Sequence, residues 1–460
     1  MRPIQSTSFG GLLIVWACLT ATDANALTFK EAMERAVAND PQFIAAQANR
    51  HASQARVTQA AAENFFQGSI SVSTSNNRRE YQTRTAPPTQ YPLEAYNMSS
   101  AQLSFTQPLW RHGNWIAFMQ SKIGLEQADY QLQAAGQDML IRLTQTWFDV
   151  MQARDNRIVA ESEVRVMQQL FEQALRSHEK GILSTTELED ARAQQAMASA
   201  ELAVAESEMA IRQGALEQII GPVSFDPPQL VDNQATPQME SETLEHWLAQ
   251  AEAGNPSVRA AQRALEASNE EVRKQQAGYE PTLDLVASYG KTSQAAGLTG
   301  GQSGFDSYVG SVGLQFNMPL SVGGGQGAKV KEAVAMQDKA IQELEAARRQ
   351  ARMSVKEAWF GWRASKVREA ATKLAAQSAE MAVKGAETAR LRGIKADIDV
   401  LQTRQQLLSA QRDWRRARYD NMLNDLRLQA ACGRLTGEEL AAIDTSFLYG
   451  ETKSEVLVVK

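Results

Sequence analysis

Four short segments of the chain alternate between apolar and polar residues, a pattern typical of β-strands with two unlike faces. In one segment Ala101, Leu103 and Phe105 alternate with serine, glutamine and threonine. The others follow the same design, although Val286 interrupts one polar face. We therefore predict four strands, at residues 68–75, 100–107, 282–289 and 308–318.

Helical periodicity fills most of the remaining chain. Two stretches contain no proline, from about Trp115 to Lys180 and from about Gly327 to Arg392. At 1.5 Å per residue a helix of that length spans about 100 Å, and apolar spacings of three and four residues indicate coiled-coil packing. Both stretches end at a glycine turn, from which we expect a second long helix to return. The predicted helices cover residues 28–64, 115–180, 185–219, 242–277, 327–392 and 397–431.

Several sequence landmarks occur twice in the same order, which indicates an internal repeat. Three pairs share one offset of 212 residues: Trp147-Phe148 with Trp359-Phe360, Gly181-Ile182 with Gly393-Ile394, and Gly221 with Gly433. Four prolines between the copies cannot continue a helix or a central strand. We predict a signal peptide (1–26), a first repeat (27–221), a linker (222–241), a second repeat (242–433) and a C-terminal tail (434–460).

The first 26 residues have the composition of an export signal. Arg2 gives a positive start, residues 9–19 are apolar, and residues 24–26 form a small-x-small cleavage site. A lipoprotein signal ending at Cys18 is the alternative, although Trp16 stands where a small residue is expected. Ordinary cleavage would leave Cys432 as the one cysteine, which excludes an intramolecular disulfide.

Composition argues against several classes of function. A formal charge of −6 does not suit a general nucleic-acid-binding protein, whose affinity depends on a basic surface. Two cysteines and four separated histidines supply no ligand set for a metal. The glycine-rich residues 323–327 lack the following Lys-Ser/Thr of a phosphate-binding loop. We therefore expect no cofactor, no nucleic-acid partner and no enzymatic activity.

A strand with one apolar and one polar face fits either a soluble sandwich or a membrane barrel with lipid outside and water inside. A sandwich needs about seven strands, whereas only four are predicted, in two widely separated hairpins. Barrels need about eight strands or more, because every backbone polar group must be paired in lipid. We therefore favour a barrel to which several copies contribute, three copies giving twelve strands.

The motifs taken together resemble the TolC family of outer-membrane channel proteins. They are Ala36-x-x-Asn39-Asp40-Pro41, residues 281–285 (PTLDL), Leu314-x-Phe316-x-Met318-Pro319-Leu320 followed by Gly323-Gly324-Gly325, and the two Trp-Phe pairs. The resemblance implies a mainly α fold with membrane β. A trimeric twelve-stranded outer-membrane β-barrel would continue into a long periplasmic α-helical barrel, with four strands and paired long coiled-coil helices per protomer.

The resemblance also implies a passive homotrimeric exit duct for type I protein secretion or drug efflux, set in outer-membrane lipid with a large periplasmic portion. A periplasmic adaptor would open it, and an inner-membrane ABC or proton-driven transporter would supply the energy. The alternative is a periplasmic adaptor or coiled-coil scaffold without a pore. Such a protein should contain one helical hairpin between soluble β domains, rather than two hairpins that each follow amphipathic strands.

In this family the helical turns at the periplasmic end form a gate. Gly181 and Gly393 mark these turns, and Asp399 matches the tip carboxylate of the motif Gly-x5-Asp-Val-Leu. Three Asp399 carboxylates in a narrow neck would attract cations. The alternative is that the acids at these turns only cap helices. The candidate gate residues are Thr186, Glu187, Arg390, Lys395, Asp397, Asp399 and Gln402.

Some of these positions depart from the family pattern. Gln402 stands where a second aspartate is common, and Arg390 replaces a tyrosine found in some members. Lys395 is a candidate partner for Glu187 or Asp399. Outside the gate, we expect Pro108 and Pro319 to mark the junctions between strands and helices, because a proline interrupts the backbone hydrogen bonding.

Overall fold

The computed structural model describes residues 27–80, 82–84, 86–89, 93–223, 225, 227–230, 243–295, 304–320, 323–435 and 447–448. The predicted signal peptide and most of the predicted linker and tail lie outside this range. The first half contains α1 (Phe29–Asn39), α2 (Pro41–Ala62), β1 (Gln67–Arg79), β2 (Glu94–Trp110), α3 (His112–Glu179), α4 (Thr185–Ile220) and β3 (Gln229–Leu230). The second contains α5 (Leu244–Gly254), α6 (Pro256–Gln276), β4 (Thr282–Gln294), β5 (Phe305–Asn317), α7 (Gly325–Leu391), α8 (Asp397–Ala431) and β6 (Phe447–Leu448).

The first helical segment of each half is two helices rather than one, a correction to the predicted 28–64 and 242–277. The break falls at the recurring X-Pro step, because the residue before a proline disfavours helical geometry. Asp40 accepts a hydrogen bond from the Phe43 amide at 2.9 Å and so caps α2. Asn255 caps α6 in the same way. The repeated dipeptide is therefore a repeated helix cap.

The two long helical hairpins, α3–α4 and α7–α8, are confirmed. The helices α3 and α7 contain 68 and 67 residues, so each is about 100 Å long. Trp147 is completely buried in a core between the hairpins and the short helices, where its ring packs against Phe29 and Phe225. Trp359 contacts a second, smaller core. Both tryptophans therefore pack in apolar cores of the chain.

The four predicted strands form one antiparallel sheet in the order β1-β2-β4-β5. Three of them extend well beyond the predicted segments, since residues that lack alternation still pair, as Asn76 does with Asn97. Pro108 lies inside β2, opposite Asp284, and the register shifts between Pro108 and Trp110. A proline is tolerated at such an irregularity because one ladder hydrogen bond is already lost there. Pro319 lies between the end of β5 and the start of α7.

Strands and helices are arranged in the same lateral order along the molecule. Beside the sheet, α2, α3, α6 and α7 pack side by side in that order; farther along, the order is α4, α3, α8 and α7. The chain is therefore a long strip, four elements wide. One edge of this strip consists of β1, α2 and α4, and the other consists of β5 and α7.

No helix in the described part of the chain is both long enough and apolar enough to cross a membrane.

Candidate functional site

One face of the sheet is apolar and exposed. The pairing register places Gly68, Phe105, Ala287 and Val312 in one row across all four strands. The neighbouring row contains Ile70, Leu103 and Tyr289, and further rows continue with residues such as Leu314 and Phe316. In the part of the chain that the structure describes, nothing covers this face: Ile70, Val72, Val312, Leu314 and Phe316 are largely exposed. In water such a surface would be unfavourable, whereas lipid would cover it without cost.

The opposite face is polar. Ser69, Ser104, Ser288 and Ser311 form a continuous row of four hydroxyl groups. The Ser288 and Ser311 Oγ atoms are 2.8 Å apart, and another row is linked by Ser73 and Ser100 at 2.8 Å. Short uncharged hydroxyls suit a wall in contact with water and provide no nucleophile activated by a base. The prediction of two unlike faces is therefore confirmed by the register.

Exposed aromatic residues surround the end of the sheet that joins the helices. Phe65 and Phe66 precede β1, Trp110 ends β2, Trp115 lies in the first turn of α3, and Tyr279 precedes β4. Membrane barrels have girdles of aromatic residues at the boundary between lipid and water. Their position indicates the level at which the apolar face ends.

Both edges of the sheet are open. In the described residues β1 pairs only with β2, and β5 pairs only with β4. Each open edge is 13 residues long and presents unpaired backbone N–H and C=O groups. Such edges pair readily with another strand. Because the four strands alternate in direction, β5 of one copy and β1 of another would meet antiparallel.

Two polar contacts join the two repeats beside the sheet. Arg111 donates two hydrogen bonds to the buried Asp284, at 2.8 and 2.7 Å. The adjacent His112 places Nδ1 2.8 Å from an oxygen of Glu280. No local sequence pattern indicates these contacts, since the partners are more than 160 residues apart in the chain.

The two helical turns at the far end of the molecule have identical backbone designs. Gly181 and Gly393 have φ of 71° and 69°, a left-handed conformation that favours glycine. The amide after each glycine donates back into the preceding helix, from Ile182 to the Ser177 carbonyl and from Ile394 to the Ala389 carbonyl, both at 2.9 Å. This hydrogen-bonding pattern is a Schellman C-cap. The repeated Gly-Ile motif thus ends two long helices in the same way.

The carboxylates at the starts of the return helices do cap them within one chain. Asp399 accepts a hydrogen bond from the Ala396 amide at 3.0 Å. Glu187 accepts from the Ser184 amide at 2.9 Å and from its hydroxyl at 2.7 Å. These hydrogen bonds, the backbone one first, lower the pKa of Glu187 below its ordinary value because they stabilise the carboxylate. Capping does not exclude a gate role, since each acid still has free oxygen lone pairs.

The other candidate gate residues are gathered at the same end. Thr186 is exposed in the first turn of α4 and Gln402 in the second turn of α8. Arg390 is exposed in the last turn of α7, and Lys395 lies in the turn between α7 and α8. Asp397 is the first residue of α8. In the described part of a single chain, no ion pair joins Lys395 to Glu187 or Asp399. The pairing of Lys395 with Glu187 or Asp399 remains a prediction for an assembly of several copies.

Comparison with known proteins places the two repeats in one family. The sequence model of a family described as outer membrane efflux protein matches residues 32–222 and 247–434. The chain is 26% identical over 414 residues to outer membrane protein TolC of Vibrio cholerae, covering 90% of this chain and 92% of that protein. It is also 26% identical over 460 residues to alkaline protease secretion protein AprF of Pseudomonas aeruginosa, covering 98% and 93%.

The fold is shared with solved channel structures. The crystal structure of the Campylobacter jejuni CmeC outer membrane channel superposes with a TM-score of 0.73 and covers 97% of each chain, at 16% identity. At that identity the likeness concerns the fold alone. It extends over both the sheet and the long helices.

Proposed function

The chain belongs to the outer membrane efflux protein family, and from this premise we propose that three copies join edge to edge into a single tube that acts as a passive exit duct. As a member of this family it is an outer-membrane channel protein of export systems, and its relatives are transport proteins rather than enzymes. The observation that carries the proposal is the sheet, which has one apolar face, one polar face and two open edges.

Closure of the sheet follows from the physics of a lipid environment. An open strand edge in lipid leaves backbone groups unpaired, at a cost of several kcal/mol for each. Four strands are too few to close on themselves, since known barrels begin at about eight. Three copies supply twelve antiparallel strands, and joining β5 of one copy to β1 of the next removes every edge. The apolar rows then face lipid and the serine rows line a water-filled pore.

The same edges continue into the helices, so closure of the sheet also closes the helical part. The edge strand β1 leads from α2, and β5 leads into α7. Twelve helices at any level would surround a tunnel about 100 Å long, the length of α3 or α7. The tube would offer a continuous aqueous path, through which transport is passive and draws its energy from a partner.

The carboxylates at the helical turns are the proposed gate. Threefold symmetry would bring together three copies of Asp399, with Asp397, Thr186, Glu187 and Gln402 close by. Lys395 could then pair across copies with Glu187 or Asp399, with Arg390 as a further cation at this level. The grouping of all seven residues at one end of the strip supports this assignment.

Opening requires a partner that binds the open form better than the closed one. We propose a periplasmic adaptor as that partner and an inner-membrane transporter, ABC-type or proton-driven, as the source of energy. The cargo class follows the relatives, which are named for protease secretion and for efflux. The proposal therefore covers secreted proteins and small compounds.

Membrane fractionation followed by conductance measurement tests the duct. The protein should remain in outer membranes after carbonate and high-salt washing. It should have the mass of a trimer in native mass spectrometry and form ion-conducting pores in planar bilayers. An adaptor or coiled-coil scaffold would wash off and would not conduct. Recovery of a water-soluble monomer without detergent would refute the proposal.

A further inference from the structure

The outer helices of the strip carry apolar residues that no other part of the described chain covers. All are more than half exposed and repeat every seven residues: Met197, Val204 and Ile211 on α4, and Phe360, Val367, Leu374 and Met381 on α7. A seven-residue spacing aligns side chains in the line that a partner helix covers in a coiled coil. We propose, building on the trimer above, that α4 of one copy packs antiparallel on α7 of the next in one defined register. We call this contact the inter-copy seam.

The contact between α3 and α8 inside one chain is the template for this register. Phe148 stacks on Tyr419 with ring centroids 5.2 Å apart, and Arg415 lies 3.4 Å from Asp155. The repeat offset of 212 residues makes α7 the equivalent of α3, and α4 the equivalent of α8. The seam between two copies should therefore repeat the geometry of the seam within one copy.

Equivalent positions in the two halves differ sharply in exposure. Three α3 positions at seven-residue spacing are covered by α8 and are 4%, 5% and 8% exposed: Phe148, Asp155 and Ser162. The three equivalent α7 positions are 56%, 71% and 65% exposed: Phe360, Val367 and Leu374. The α7 positions are also more apolar than their α3 equivalents. The exposed α7 positions therefore lack the partner helix that α8 provides for the equivalent α3 positions.

The template gives the register directly. Adding 212 to an α3 position and subtracting 212 from an α8 position converts a contact within the chain into a contact between copies. The Asp155–Arg415 contact then places Val367 beside residue 203 of the next copy, adjacent to Val204. The Phe148–Tyr419 contact places Phe360 within one helical turn of Ile211. The seam therefore pairs Phe360 with Ile211, Val367 with Val204, and Leu374 with Met197. If the start of α4 instead lay level with the end of α7, Met197 would pair with Met381, which is one heptad beyond Leu374.

Charge complementarity supports a second copy of this chain as the occupant. The helix α4 contains seven carboxylates and two arginines, a formal charge of −5. The helix α7 contains thirteen lysines and arginines and eight carboxylates, a formal charge of +5. Opposite and equal charges steer two such surfaces together and disfavour pairing of like edges. The inter-copy seam is thus matched in both apolar spacing and charge.

Disulfide trapping in the full-length trimer tests the register. The variant Met197→Cys with Leu374→Cys should form covalent dimers and trimers on mild oxidation, seen on a non-reducing gel. The variant Met197→Cys with Met381→Cys is displaced by one heptad, about 10 Å along the helix. A disulfide tolerates a Cα separation of about 4.4–6.8 Å, so this control should remain uncrosslinked. The native Cys432 is buried, and each single-cysteine variant measures its background.

The outcomes separate the seam from the duct. Preferential cross-linking through position 381 would overturn the register while leaving the trimer intact. A trimer by native mass spectrometry in which neither pair cross-links would refute the inter-copy seam and leave the proposed function standing. A monomer would refute both. Circular dichroism of each variant confirms that the helices are folded, which is expected because all three positions are exposed within the chain.

Discussion

At the scale of single residues, the carboxylate of Asp399 combines a structural contact with a proposed electrostatic role. It accepts the Ala396 amide at 3.0 Å and so caps the start of α8. The side-chain oxygen of an asparagine can accept the same hydrogen bond. Replacement by asparagine therefore removes the charge while keeping the cap, which separates the two roles.

We predict that Asp399→Asn lowers the cation preference of the pore. In water, a carboxylate about 4 Å from a cation contributes about 1 kcal/mol, so loss of three charges at one constriction should reduce the cation-to-anion permeability ratio several-fold. Reversal potentials in planar bilayers under a salt gradient measure this ratio. The control Asp413→Asn lies on the same helix, where Arg412 already pairs with the carboxylate at 2.8 Å. Equal ratios for Asp399→Asn and the native protein would contradict the gate assignment.

At the scale of elements, the sequence predicted the faces of the strands better than their ends. Alternation identified the apolar rows around Leu103 and Val312, because one face must meet lipid and the other water. Beyond Ser75 the chain contains Asn76 and Asn77, a residue type with little preference for strands, followed by Arg78 and Arg79, which do not continue the alternation. These residues become part of β1 because they pair with β2, and a local sequence pattern does not reveal that long-range pairing. The helical break at Asp40 is the opposite case, because its signal is local: Pro41 ends one helix and begins the next, although the helical periodicity continues across it.

The candidate gate was accessible from sequence only through the family resemblance. Periodicity located the glycine turns at Gly181 and Gly393. Acidic residues occur near the start of a helix whether they cap it or line a pore, so their presence does not distinguish the two roles. The Arg111–Asp284 ion pair had no local signal at all, because its two partners are brought together by the pairing of β2 with β4. Long-range ion pairs depend on topology, which must be known first.

We predict that adjacent residues of β5 respond oppositely to arginine. Val312 lies in the middle of the apolar rows, and Val312→Arg should cost about 2–4 kcal/mol per copy at the bilayer midplane. Ser311 lies on the polar face, which would line the proposed pore, so Ser311→Arg should leave insertion intact and reduce cation conductance. Outer-membrane yield and single-channel conductance measure the two effects. Failure of Ser311→Arg to insert, with normal insertion of Val312→Arg, would reverse the assigned faces.

At the scale of the whole molecule, the two repeats would make the proposed trimer resemble a ring of six similar units whose seams alternate in chemistry. Within a chain, the seam contains a buried ionic group, in which Asp155 contacts Arg415 at 3.4 Å and Tyr419 at 3.5 Å. Burial, followed by the charge of Asp155, raises the pKa of Tyr419 well above its ordinary value, so its hydroxyl stays protonated. Between chains, the proposed seam is apolar and stops at Met197. The next position toward the turns is Asp190, which would face Met381.

This change of chemistry along α4 predicts where the tube opens. Separating six large apolar side chains at about 2 kcal/mol each would cost about 12 kcal/mol for each inter-copy seam, whereas the polar segment beyond Asp190 loses little on contact with water. We therefore predict that a disulfide between Met197→Cys and Leu374→Cys leaves export intact. The measurement is export by cells in which this variant is the only copy, with and without a reductant, compared with the single-cysteine variants. Loss of export on oxidation, restored by the reductant, would mean that the helices separate along the whole seam and not only at the turns.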